Sequence, residues 1–139
     1  MPPIQAISFD LWDTVFVDDS DEAKRSAAGL PTKPKARREL LCQALGTQRD
    51  SERELIACAY DTSDAAFRQV WHEQHVTWSV AERLQVTLQG LGRTLPDESF
   101  GQLVLQHERM ELDHKPDLVD GVRAALEELS ERYRMVDIS

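Results

Sequence analysis

Ile4, Ala6, Ile7 and Phe9 form a short apolar run rich in branched and aromatic side chains, closed by Asp10. That pattern predicts a buried strand over 4–9. An acidic patch follows (Asp18, Asp19, Asp21, Glu22), and the stretch from Lys24 to Arg38 then holds six basic residues and no acid. Gly29, Pro31 and Pro34 predict a loop in its first half. From residue 32 the spacing turns helical. A first helix is expected over 35–45, with Leu40, Leu41 and Leu45 on one side and Gly46 as its stop. Ser51 with Glu54 reads as a capping box opening a long helix whose apolar stripe is Leu55, Ala59, Phe67, Trp71 and Trp78. Asp61-Thr62-Ser63-Asp64 marks a point where that helix can break. Ser79 with Glu82 repeats the capping pattern ahead of Leu84, Leu88 and Leu91, with a stop at Gly90 or Gly92, and another helix is expected over 97–112. Together these predict a small antiparallel bundle. After Pro116, the residues Leu118, Val122, Ala125, Leu126 and Leu129 lie at 3.6-residue spacing, and 135–138 reads as a second buried strand. The predicted order is strand, helical insertion, helix, strand.

The chain has 139 residues, enough for one domain or for one small core with an insertion. Its 16 Lys and Arg against 25 Asp and Glu give a formal net charge of −9. That charge repels a phosphate backbone and argues against nucleic acid or an anionic membrane as partner. The first residues carry no basic region ahead of their apolar run, which soon meets Asp10 and Asp13, and no uncharged run approaches the length of a membrane span. A cytoplasmic location is expected. Cys42 and Cys58 fall inside helical patterns and read as small apolar fillers rather than a disulfide.

A strand that ends in Asp10, with Thr14 four residues on, sets a carboxylate at the carboxyl edge of a parallel sheet, where α/β proteins build their sites. The segment Ile7-Ser8-Phe9-Asp10-Leu11-Trp12-Asp13-Thr14-Val15 resembles the first motif of the haloacid dehalogenase-like (HAD) hydrolase superfamily, a hydrophobic strand followed by Asp-x-Asp-x-Thr/Val. The tail supports the resemblance independently: Lys115-Pro116-Asp117-Leu118-Val119-Asp120-Gly121-Val122, the helix to Tyr133, and Arg134-Met135-Val136-Asp137-Ile138-Ser139 are similar to the approach to the family's second motif. The hundred-odd residues between match its helical cap in length and character.

The resemblance implies an α/β fold, a HAD-like Rossmann-type core of which only the first strands are present, with an inserted helical-bundle cap that makes the chain mostly α. On that basis 1–17 is the first core strand and catalytic loop, 18–114 the cap, and 115–139 the return to an incomplete core. Asp10 corresponds to the nucleophile that forms a covalent aspartyl intermediate and to a Mg²⁺ ligand. Thr14 corresponds to the hydroxyl that fixes the loop, and Ser139 to the residue that hydrogen-bonds the transferring group. Trp12 stands where the family's phosphatases hold a second, proton-donating Asp, and an indole cannot do that work; the family's dehalogenases also carry an aromatic residue there, since a departing halide needs no proton. The Lys and the acidic strand end that complete the family's site are not found. The expected function is therefore that of a HAD-like hydrolase, a Mg²⁺-dependent phosphatase in its complete form, acting on a small anionic substrate. The alternatives are a 2-haloacid dehalogenase-type hydrolase, in which Trp12 contributes to the substrate site, and a shortened non-catalytic fragment. The 139 residues alone are expected to be inactive, and the open edge of an incomplete core predicts a homo-oligomer.

Other candidates read more simply as structure. His72 and His75 share a helix face without a third ligand, and His107 and His114 flank a helix end. Trp71 and Trp78 have the spacing of a core stripe. The run from Lys24 to Arg38 reads as a solvated loop, with Arg's bidentate grip on an anion as the functional alternative.

Overall fold

The computed structural model describes residues 4–138 and is mostly helical, with one small sheet. In chain order the elements are β1 (Ala6–Asp10), α1 (Ser20–Ala27), α2 (Lys33–Ala44), α3 (Asp50–Gln74), α4 (Val80–Gly90), α5 (Asp97–Asp113), α6 (Val122–Ser130) and β2 (Arg134–Ile138). They fall into two compact units, one made of Met1–Leu30 with His114–Ser139 and the other of Pro31–Asp113. Among the described residues no helix is long and apolar enough to cross a membrane.

The helical unit is built on α2, α3, α4 and α5. Its core is Leu41, Cys42, Ile56, Tyr60, Leu84, Leu88 and Leu103, with Leu40, Leu45, Val80, Leu91 and Phe100 packed around it. Helix α4 opens with the capping box that its sequence predicts: Ser79 Oγ accepts the Glu82 N–H at 3.2 Å, and Glu82 accepts the Ser79 N–H at 2.7 Å. Helices α2 and α4 are followed by Gly46 (φ 63°) and Gly92 (φ 61°), in the left-handed conformation that lets a chain leave a helix.

Helix α3 departs from expectation in three ways. It starts at Asp50 with Arg49 as its N-cap and no side-chain cap, so Ser51 is not the capping residue. It runs unbroken through Asp61-Thr62-Ser63-Asp64, and Ser63 is buried there, donating to the Arg83 carbonyl at 3.2 Å. Its inward face is Ile56, Tyr60 and Ser63, whereas Leu55 and Trp71 are 61% and 48% exposed. Trp71 is thus not a core residue, and Trp78 packs on Phe67 at the margin.

The other unit holds the sheet. β1 and β2 pair in parallel with Ala6 opposite Arg134 and Asp10 opposite Ile138. Neither strand is buried as its sequence predicts; β1 alternates exposed and half-buried positions, and Val136 is 50% exposed. Helix α6 has no buried residue, so it shields its neighbours only partly. Of the stretch expected to be loop, 28–32 is irregular, whereas 24–27 closes α1, which belongs with the strands and whose inward residues are Asp21 and Arg25. A helix that buries charged positions leaves no apolar periodicity to read.

Candidate functional site

Because β1 and β2 are parallel, their carboxyl ends share one edge, and Asp10 stands on it exposed to solvent. The loop that follows is closely fixed. The Leu11 carbonyl accepts N–H groups from Val15 and Phe16, each at 2.9 Å, and the Asp13 N–H donates to the Phe16 carbonyl at 2.7 Å. Asp13 has φ 54°, a conformation that Asp tolerates better than most residues. Its carboxylate accepts the Asp18 N–H at 3.1 Å, and Asp18 in turn accepts the Asp19 N–H at 2.9 Å. Asp13 therefore holds the loop in shape.

Val15 is the buried anchor of this loop. Its carbonyl accepts the Val119 N–H at 3.0 Å, the Val17 N–H donates to the Asp117 carbonyl at 2.8 Å, and Ser20 Oγ accepts the Asp117 N–H at 2.7 Å. Lys24 closes the arrangement by pairing with the Asp117 carboxylate at 2.6 Å and donating to the Lys115 carbonyl at 2.7 Å. Trp12 is 53% exposed and tilts over Phe16 with ring centroids 6.1 Å apart. Thr14 is exposed on the same loop. Ser139 lies outside the described residues. Asp10, Trp12 and Thr14 are thus brought to one edge, with the first of them on a strand end and the others on a turn bonded to the opposite segment.

No group of three or more His, Cys, Asp or Glu among the described residues is placed to hold a metal ion. Asp10 supplies one carboxylate, Asp13 and Asp18 are engaged with backbone N–H groups, and this donor set does not by itself fit a divalent cation. His72 and His75 acquire no third ligand. The basic run is largely committed within the chain: Arg37 and Lys33 both pair with Glu111, and Arg38 pairs with Asp61 at 2.5 Å.

A second cluster, not foreseen from sequence, lies inside the helical unit. Arg37 from α2, Tyr60 from α3, Val80 and Arg83 from α4, and His107 and Glu111 from α5 line a cavity of about 180 Å³. The His107 ring stacks on Tyr60 with centroids 6.3 Å apart and planes 14° from parallel. Its Nδ1 lies 2.9 Å from the Leu103 carbonyl, and its buried Nε2 has no hydrogen-bond partner. Burial pushes His107 below the ordinary histidine value, and Arg37 and Arg83 push the same way, whereas the Leu103 and Arg37 backbone carbonyls oppose the shift. Burial likewise raises the Tyr60 hydroxyl above the ordinary tyrosine range. Arg83 pairs with Asp64 and lies 4.6 Å above the Phe67 ring. The only trace of this cluster in sequence is a histidine at helical spacing from Leu103 and Met110, which taken alone is a core residue.

No protein-family model matches the chain, and a search of curated proteins returns no match.

Proposed function

We propose that the chain is a HAD-like hydrolase, with β1 and β2 as strands of a HAD-like Rossmann-type core and Asp10 as the nucleophile that attacks a small phosphate monoester. The observation that carries this is the exposed Asp10 carboxylate at the carboxyl end of a parallel strand, followed by a loop that hydrogen bonds hold rigid. A carboxylate Oδ of Asp10 bonds to phosphorus as the P–O ester bond breaks, and the alcohol oxygen leaves with the electron pair and takes a proton from solvent. Water then attacks the same phosphorus, releases phosphate and restores the carboxylate. Solvent is the proton source because Trp12 has only an indole N–H to offer. Magnesium belongs to this proposal through family resemblance alone: Asp10 is the one ligand assigned to it, and no step here runs through the metal.

Trp12 favours a second reading. On a 2-haloacid, Asp10 bonds to the carbon that carries the halogen, the halide departs with its electron pair and needs no proton, and water hydrolyses the resulting ester. In either case the substrate is small and anionic and the setting cytoplasmic. The exposed strands also support pairing with a second copy through an open sheet edge, since parallel strands are ordinarily covered on both faces.

Intact-mass spectrometry separates the two chemistries. Acetyl phosphate loses a carboxylate that needs no protonation, so it suits a site without a general acid. Incubation with it is expected to add one phosphoryl group to the protein, a single event short of the turnover that these 139 residues are not expected to sustain, and none to Asp10→Asn; an adduct from chloroacetate alone would select the dehalogenase reading. No adduct from either donor would refute the nucleophile assignment.

A further inference from the structure

Helix α5 packs against α2 and α4 and buries Leu103, His107 and Met110. Another face of the same helix is left open. Leu105 and Leu112 stand on it 45% and 69% exposed, and Glu108 and Arg109 lie between them, both exposed. The four positions follow one another at i, i+3, i+4 and i+7, the row that forms the seam of paired helices. Single exposed leucines are ordinary on a protein surface. Two of them one heptad apart, with a charge of each sign between, make a patterned face.

The two charges are not spent within the chain. Glu111, the next acid along α5, is taken by Arg37 and Lys33, whereas among the described residues no ion pair includes Glu108 or Arg109. Adjacent residues on a helix do not face each other, so these two do not satisfy one another. A matching surface must set apolar groups against both leucines, a cation against Glu108 and an anion against Arg109. The face itself meets that description after half a turn about an axis through the midpoint of Glu108 and Arg109. Leu105 and Leu112 lie equally far from this midpoint along the helix, so the rotation brings each leucine onto the other and each charge onto its opposite. An isologous contact requires such self-complementarity, in which residue i meets j and j meets i. Copies that each carry a net charge of −9 repel in general, so a face of balanced charge is where they can meet.

We propose that this face of α5 joins two copies of the chain in a symmetric dimer, the two α5 helices antiparallel, with Leu105 against the partner's Leu112 and Glu108 against the partner's Arg109. The surface uses no residue of the sheet and does not depend on the role given to Asp10.

The test is sedimentation velocity of the full chain across a dilution series in the micromolar range. Glu108→Arg sets arginine against arginine at both symmetry-related positions, and Arg109→Glu sets glutamate against glutamate. Each reversal should weaken self-association about tenfold, since two attractive pairs become two repulsive ones. The double reversal, Glu108→Arg with Arg109→Glu, puts opposite charges back in register and should recover the association of the parent. Leu112→Gln keeps both charges and should also weaken it, through lost apolar contact. All these positions are exposed, so circular dichroism should show the helix content of the parent in every variant. If the sheet edge pairs copies as well, the single variants keep that step and lose only the one through α5. A parent that sediments as a monomer throughout, single reversals that associate as the parent does, or a double reversal no stronger than the singles would overturn the proposal.

Discussion

Burial of His107 ties a single side chain to the stability of the helical unit. The groups facing it are Arg37 from α2, Tyr60 from α3, Arg83 from α4 and Glu111 from its own helix, and the folded ring stays below the ordinary histidine value chiefly because burial penalises its charged form. The unfolded chain then binds the proton at the higher pH. This contribution to stability is complete above the ordinary value of about 6.5 and is lost as pH falls toward the lower folded value. Thermal melts taken from about pH 7 down to about pH 5 should show a falling midpoint, and His107→Leu should flatten that fall by removing the titrating ring. If variant and parent lose stability in parallel, His107 does not govern this range. The carboxylates of Asp13 and Asp18 show the other use of polar side chains: each accepts a backbone N–H in a loop where Asp13 and Asp19 both have positive φ.

Helix α4 is the element whose start the sequence states outright. Ser79→Ala removes the oxygen that receives the Glu82 N–H and should cost about 1 kcal/mol, read as a lowered denaturation midpoint with unchanged helix content. A midpoint equal to that of the parent would show that the box does not hold the helix. The same Ser-x-x-Glu signature at Ser51 is not used, because α3 begins one residue earlier, at Asp50. Spacing signals do not choose between adjacent faces of a 25-residue helix. Leu55 and Trp71 offered one apolar stripe and Ile56 and Tyr60 its neighbour, and Leu41, Leu84 and Leu103 on other helices decided for the second. Helix α1 escaped for another reason, since its buried positions are Asp21 and Arg25. Asp10 was legible because a strand end is local in sequence. The His107 cavity was not, because four helices assemble it.

At the scale of the whole molecule the two units differ in how they are held. The helical unit has its own apolar core and its own ion pairs, so a fragment spanning 31–113 should be helical and melt cooperatively by circular dichroism. A disordered spectrum from it would contradict an autonomous bundle. Among its described residues the strand unit has only Val15 as a buried apolar residue and leaves Val136 half exposed, so its cover should come from a second copy. Light scattering coupled to size exclusion at micromolar protein should give a dimer or larger species, and a monomer would remove the proposed edge pairing. The assignment of Asp10 as nucleophile has the most direct test. Protein incubated with acetyl phosphate is treated with borohydride, which reduces an aspartyl phosphate to homoserine, and its peptides are then sequenced by mass spectrometry. The expected result is homoserine at position 10 and at no other acidic position, and a reduced residue at Asp13, Asp18 or elsewhere, or none at all, would contradict it.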